Sequence, residues 1–218
     1  MLQIQSFTFS PIQENTYILF NELKQCIIID PGCYFDAEKD QLRDFILEKG
    51  LTPVILLNTH CHLDHVFGNK MVAETYGLTL QLHEKEKAVL AFAPTSGLRY
   101  DMPFDNYMGD FILLKEGDKI LLGDDELNII EAPGHSPGSI CFYCSKQNFL
   151  IGGDVLFYRS IGRTDLPGGD HQILINNIKN KLFKLPDETI VYSGHGNATV
   201  IRDEKIHNPF LNNYMINK

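Results

Sequence analysis

Between Thr59 and His65 the chain reads Thr-His-Cys-His-Leu-Asp-His, three imidazoles and a carboxylate within the six positions from His60 to His65. No other stretch limits the fold so sharply, because side chains of this kind at this density must be paired or share one target. Just before them runs Pro53-Val54-Ile55-Leu56-Leu57. It is apolar, β-branched and too short for a helix, which predicts a buried strand ending near Asn58. If the chain stays extended past Asn58, side-chain alternation puts His60, His62 and Asp64 on one face and turns Cys61 and Leu63 back into the body. His65 then rejoins that face only if the chain turns after Asp64, and a helical pattern begins at Val66. Imidazole nitrogen and carboxylate oxygen together form a donor set for zinc or another borderline metal. A lone histidine is more often a core or surface residue, but this cluster favours ligands.

Three further candidates share one placement, just past the C-terminal end of an expected strand. His135 follows Leu127–Glu131 through Ala132-Pro133-Gly134, Asp154 follows Phe149-Leu150-Ile151 through Gly152-Gly153, and His195 follows Ile190-Val191-Tyr192 through Ser193-Gly194. Asp30 ends the strand Cys26–Ile29 and is expected to orient a ligand histidine. Ligand sites collect at the carboxyl edge of strands, and the flanking glycines permit close backbone approach. His60, His62 and His135 would hold one metal and Asp64, His65 and His195 the other, with Asp154 bridging. The expected cofactor is therefore two divalent metal ions, Zn2+ first, with Fe or Mn also suited to a donor set that has no thiolate. His83, His171 and His207 lack such a context and are expected at the surface.

Along the chain, strands are expected over Leu2–Phe9, Thr16–Phe20 and Cys26–Ile29, with helices over Asp36–Lys49 and Val66–Tyr76, each stopped by a glycine. A strand over Thr79–Leu82 leads into a helix from His83 to Ala93, which Pro94 breaks to open a long loop through Asp110. Ile112–Ile130 reads as strands and hairpins, turning at Glu116-Gly117-Asp118 and at Gly123-Asp124-Asp125. Strands at Ser139–Tyr143 and Phe149–Ile151 precede a loop over Ser160–Asp170. An amphipathic helix over His171–Lys184, a strand over Thr189–Tyr192 and a helix over Arg202–His207 complete the order. Strand and helix alternate as in an α/β fold with crossover units.

The 218 residues suit a single domain spanning 1–218. A formal charge of −9 opposes a nucleic-acid or anionic-membrane surface, so the expected partner is a small-molecule substrate. The five cysteines suggest no disulfide framework, and no basic, apolar leader opens the chain, so a cytoplasmic location is expected. Cys141 and Cys144 lie three apart on an expected strand and face opposite sides, which argues for packing rather than a shared metal.

The pattern H-x-H-x-D-H followed by His135, Asp154 and His195 resembles the metallo-β-lactamase superfamily. The resemblance runs from Asp30-Pro31-Gly32 to Gly194-His195-Gly196 and implies a four-layer αββα sandwich with metals at one edge. Gly134-His135-Ser136-Pro137-Gly138-Ser139, Gly153-Asp154-Val155-Leu156-Phe157 and the run Ser160–Asp170 are similar to small hydrolases of the glyoxalase II (hydroxyacylglutathione hydrolase) group. The chain ends soon after Glu204–Leu211, so the C-terminal helical domain that helps glyoxalase II bind glutathione is not expected. Arg163 and Asp165 stand where that group has Lys and Tyr on glutathione, and become the expected substrate-binding residues.

Two divalent cations about 3.5–4 Å apart lower the pKa of a shared water to about 7, so no Ser or Cys nucleophile is needed. A thiolate, from a thiol of pKa about 8.5, departs without a strong acid, whereas an amide nitrogen needs a proton. Beyond bound water, Asp64 is the only catalytic proton carrier expected. Thioester hydrolysis is the expected reaction, with S-lactoylglutathione the first substrate to consider. The competing expectation is a mononuclear-iron persulfide dioxygenase-like oxidoreductase, which shares Gly162-Arg163-Thr164-Asp165. An RNA-processing nuclease would need a basic surface, and a purely structural metal site would be closed.

Overall fold

The computed structural model describes residues 1–212; the last six positions of the expected 1–218 domain lie outside the described residues. Its elements in chain order are β1 (Gln3–Phe9), β2 (Glu14–Phe20), β3 (Gln25–Ile29), α1 (Asp36–Glu48), β4 (Thr52–Leu57), α2 (Leu63–Val66), α3 (Asn69–Tyr76), β5 (Leu80–His83), α4 (Glu86–Arg99) and β6 (Phe111–Leu114). The second half supplies β7 (Lys119–Leu122), β8 (Asp125–Glu131), β9 (Ile140–Cys144), β10 (Phe149–Gly153), β11 (Leu156–Phe157), β12 (Ser160–Ile161), α5 (His171–Asn180), β13 (Ile190–Ser193), β14 (Thr199–Val200) and α6 (Ile201–His207).

Two six-stranded sheets result, ordered β1-β2-β3-β4-β5-β6 and β14-β13-β10-β9-β8-β7. The strand runs are apolar on consecutive residues because both faces are covered. Ile27 and Ile29 point into the layer between the sheets, beside Leu57, Phe142 and Ile151. Cys26 and Ile28 point outward, against Leu42 of α1, Val72 of α3 and Leu90 of α4. On the second sheet Leu150 faces Leu174 and Ile178 of α5 and Ile201 of α6. The order of layers is thus helix, sheet, sheet, helix, as the resemblance implies. Cys141 packs under α5 while Cys144 faces the interlayer, so this pair lies on opposite sides of its strand as expected. Among the described residues no helix is long and apolar enough to cross a membrane.

Several boundaries differ from expectation. α4 does not stop before Pro94 but runs through it to Arg99. Proline removes the donor that would have bonded the carbonyl four residues back, at Leu90. Asn106 Nδ2 supplies the replacement, 2.8 Å from Leu90 O, so the helix continues and the irregular loop shrinks. β6 and β7 are not a hairpin: β6 pairs in parallel with β5 in the first sheet, while β7 pairs with β8 in the second, so Glu116-Gly117-Asp118 lies on the crossing between layers. The hairpin at Gly123-Asp124 is present, with Gly123 at φ 62°. The loop expected over Ser160–Asp170 begins as a two-residue strand paired with β11, and β14 was not anticipated. His83 ends β5 half-buried, its Nε2 3.2 Å from Glu131 Oε1, rather than standing free at the surface; His171 and His207 are exposed as expected.

Candidate metal centre

All seven candidate ligands meet at the carboxyl ends of β4, β8, β10 and β13, on one rim of the two sheets. The local route differs from a continued strand. The chain stays extended only to His62, which caps α2 at φ −63° and ψ 156°, and Leu63 already begins the helix. Asp64 therefore reaches the site from the first turn of α2 beside His65, not from the face of an extended chain. Cys61 and Leu63 do turn into the core beneath the first sheet. The glycines ahead of the ligands leave no room for a side chain. A Cβ on Gly194 would stand 2.1 Å from Asp154 Oδ1, and one on Gly153, at φ 50°, 2.3 Å from Thr59 Oγ1.

The first cluster is His60, His62 and His135. His62 Nδ1 lies 2.8 Å from His135 Nε2, which lies 3.1 Å from His60 Nε2. His135 Nδ1 donates to the Arg163 carbonyl at 2.8 Å, so its Nε2 carries a lone pair. The Thr59 hydroxyl donates to Asp30 Oδ2 at 2.5 Å and accepts from His60 Nδ1 at 3.2 Å, which leaves His60 Nε2 a lone pair as well. Two lone pairs facing each other at this distance repel unless a cation sits between them. Burial, and then the neighbouring imidazoles, hold His60 well below the ordinary histidine range; the same causes, with His135 the main neighbour, bring His62 down to about 3. His60 and His62 are thereby kept neutral, as metal ligands must be.

The second cluster is Asp64, His65 and His195. His195 Nε2 is 3.1 Å from Asp64 Oδ2, and its Nδ1 donates to Gln13 O at 3.0 Å. The His195 turn is pinned to the start of β2, where Asn15 N donates to Gly194 O at 2.7 Å and Asn15 Nδ2 to Gly196 O at 2.8 Å. His65 Nδ1 donates to Asp30 Oδ2 at 3.0 Å, while its buried Nε2 has no hydrogen-bond partner among the described residues. Asp154 lies between the clusters: Oδ2 is 3.5 Å from both His135 Nε2 and His195 Nε2, and Oδ1, also without a partner, is 3.4 Å from His65 Nε2.

Electrostatics point the same way. Burial alone would lower His65, but the Asp154 and Asp64 carboxylates outweigh it and hold His65 well above the ordinary histidine value. His195 is raised against its own burial by the Asp64 hydrogen bond and by Asp154. Burial works against ionising Asp64 and Asp154, yet the charge of the adjacent His65 keeps both below the usual carboxylate value. The cluster calls for positive charge, and protons on His65 and His195 meet that need when no metal does. Orphaned donors, facing lone pairs and an anionic bridge all fit divalent cations.

Asp30 also shares a donor group with His60 and His65, but its oxygens are already engaged. Oδ1 accepts from Thr59 N at 2.7 Å and Asn58 Nδ2 at 3.2 Å, and Oδ2 from Thr59 Oγ1 and His65 Nδ1. It fixes the His65 ring directly and the His60 ring through Thr59, held at φ 49° where β3 ends. Two buried carboxylates escaped the sequence reading. Glu14 lies under the centre, 3.8 Å from His65 Nδ1, and burial raises it well above the ordinary value. Glu86 accepts from Cys61 N at 2.8 Å, Ser136 Oγ at 2.6 Å and Gly138 N at 2.7 Å, joining the two loops that carry the first cluster. A glutamate amid Glu-Lys-Glu-Lys resembles a solvated helix face, so neither its spacing nor its neighbours reveal burial.

The centre opens into a cleft of about 480 Å³ whose walls include Ile12, Tyr100, Phe157 and Arg163. Arg163 and Asp165 are exposed and grip each other, with Nε–Oδ1 and a guanidinium nitrogen–Oδ2 both at 2.7 Å. That contact presses Asp165 down to about 2. Arg163 lines the cleft and Asp165 does not.

Residues 10–195 match the Metallo-beta-lactamase superfamily. The chain is 40% identical over 213 residues to a probable metallo-hydrolase of Bacillus subtilis, covering 94% of this chain and 96% of that one. It is 36% identical over 213 residues to the hydroxyacylglutathione hydrolase GloC of Haemophilus influenzae, with 97% and 99% covered. Among solved structures, the BLEG-1 B3 metallo-beta-lactamase superposes with TM-score 0.87 at 40% identity, covering 96% of this chain and 99% of that one. TTHA1623 in a di-iron-bound form gives 0.86 at 34% identity, covering 95% and 100%. Fold, sequence and donor arrangement agree that the chain is a metal-dependent hydrolase of the metallo-β-lactamase superfamily.

Proposed function

We propose that the chain hydrolyses a small thioester at two divalent cations, with S-lactoylglutathione the first compound to assay. The observation that carries this reading is the pair of donor clusters joined by Asp154 at the floor of one cleft. Cys61 is fully buried, and burial pushes its thiol well above the ordinary range, so it is not a nucleophile. His60, His62 and His135 would hold one cation, Asp64, His65 and His195 the other, and Asp154 both. Bound there, the cations supply Lewis acidity for the carbonyl oxygen and acidify water.

The chain's own groups do the rest. Gln13 O, Arg163 O and Asp30 fix which nitrogen each of His195, His135 and His65 presents. Asp64, on the cleft wall and kept ionised, would take a proton from water as it adds to the carbonyl carbon. The C–S bond breaks, the acyl group leaves as a carboxylate, and the thiolate departs without help from an acid. Arg163 can turn from Asp165 to a substrate carboxylate at the rim. The relation to a hydroxyacylglutathione hydrolase supports this substrate class. The 40% identity to a B3 metallo-β-lactamase supports a second reading, lactam hydrolysis. That reaction needs a proton for the amide nitrogen, and the ionised Asp64 has none to offer at the outset.

The test is thiol release from a thioester panel, run beside a chromogenic cephalosporin, with zinc-, iron- and manganese-loaded protein. Turnover of thioesters in at least one metal form is expected. Lactam turnover alone, or oxygen uptake with glutathione persulfide without thiol release, would overturn the assignment. Arg163→Ala should raise KM about 2–5-fold with kcat nearly unchanged, as for loss of an exposed charge pair that binds ground and transition states alike. An unchanged KM would show that the guanidinium serves Asp165 only.

A further inference from the structure

Beside the cleft lies a second cavity, of about 320 Å³. Ala88, Val89, Phe92 and Ala93 of α4 form one wall, with Pro137 and Gly168 opposite. His62, Leu63, Ser96 and Leu166 line both spaces, so the side chamber and the cleft meet at a metal ligand. Among the described residues, Lys85, at its margin and exposed, is the only charged one on its walls. We propose that this chamber receives the acyl arm of the substrate, and that the arm is an aliphatic or aryl group larger and less polar than lactoyl. The inference rests on the thioester reading above and names its substrate class.

Three observations support it. The chamber adjoins the cleft at His62, so a group within it lies close to the carbonyl being attacked. Its walls are apolar, whereas Arg163, the cation suited to a carboxylate-bearing thiol arm, stands in the main cleft. A thioester spanning both spaces therefore places its charged arm by Arg163 and its apolar arm in the chamber. The walls are also fixed in advance. Glu86 ties α4 to Cys61 N, the Ser136 hydroxyl and Gly138 N, and a Cβ on Gly138 would stand 3.0 Å from that carboxylate. Gly168, at φ 86°, lies so close to Pro137 that a Cβ would be 3.0 Å from its ring. A pocket that needs no ordering turns more of the apolar burial into preference. Phe92 is 43% exposed, so the chamber is open to a ligand and not closed core.

The test uses zinc-loaded protein and glutathione thioesters with acetyl, butyryl, hexanoyl and phenylacetyl arms. A buried methylene is worth about fourfold, so the four extra methylenes of hexanoyl should raise kcat/KM over acetyl about 15-fold even at half effect. Ala88→Phe, at an exposed helix position, fills the chamber and should bring that ratio close to unity. A flat wild-type series, or a ratio that Ala88→Phe leaves unchanged, would overturn the inference. A binding arm separates this from the hydrolysis reading. The chain contains no tryptophan, so Phe92→Trp adds a single reporter on the chamber wall. S-hexylglutathione, in which a methylene replaces the thioester carbonyl, should shift its emission to the blue saturably, and S-methylglutathione should not. A shift without turnover of any thioester leaves the chamber standing and removes the hydrolysis reading. Turnover with a flat acyl series and no shift removes the chamber.

Discussion

Replacing Asp30 by asparagine tests how far one carboxylate governs both halves of the metal centre. Four donors converge on it, and two of its bonds lead to ligands: His65 Nδ1 directly, and His60 Nδ1 through the Thr59 hydroxyl. In Asp30→Asn the side chain would keep one acceptor oxygen for Thr59 N and Asn58 and present an amide where Oδ2 stood. That amide donates, so His65 must accept at Nδ1 and carry its proton on Nε2, the nitrogen aimed at the second cation. The Thr59 hydroxyl must likewise reverse, accept from the amide and donate to His60 Nδ1, which moves the His60 proton to Nε2. The backbone is little disturbed, because asparagine tolerates the φ of 49° found there. Losing an orienting partner costs about 10–100-fold in metal affinity, or about 1.4–2.7 kcal/mol, and here it should fall on both sites. Thr59→Val removes the relay but spares the His65 bond, so it should weaken the first site alone. Zinc competition against a chromophoric chelator resolves the two constants. A weakening of only one constant in Asp30→Asn, or of only the second in Thr59→Val, would refute the reasoning.

Other outcomes follow from the same geometry. His195→Ala should reduce bound metal from two ions to one per chain by elemental analysis, since His60, His62 and His135 remain intact; two tightly held ions would refute the second cluster. Asp154→Ala should lose more metal and more activity than any single histidine change, because its carboxylate lies between both clusters; retention of both ions would place the bridge elsewhere. Asn106→Ala leaves the Leu90 carbonyl without its donor, and should cost about 1 kcal/mol, seen as a thermal midpoint about 2–4 °C lower. An unchanged midpoint would show that water replaces the amide.

The candidate ligands are legible in the sequence because imidazole is rare and its clustering has few bland explanations, and because each later candidate follows an apolar run and a glycine. The strands are legible for a related reason: covering on both faces makes Cys26–Ile29 and Pro53–Leu57 continuous apolar runs. What local patterns miss depends on partners far along the chain. Pro94 reads as a break because its remedy, Asn106, is twelve residues further on. Asp64 reads as strand because nothing in His-x-His-x-Asp-His shows that the helix starts one residue before it. The atoms that choose the tautomers of His135 and His195 are the Arg163 and Gln13 carbonyls, which every residue possesses and no composition can single out. Arg163 thus holds a ligand through its backbone, a role that does not depend on its side chain.

Each donor cluster draws on both sheets. His60 and His62 leave the end of β4 while His135 leaves β8; Asp64 and His65 belong to α2 while His195 leaves β13. Ions bound there would act as clasps across the seam between the two halves of the sandwich. Prying the rims apart would then mean giving up coordination, so the free energy of binding also resists separation of the layers. Loss of metal and exposure of the apolar sheet faces around Leu57, Phe142 and Ile151 would then be linked events.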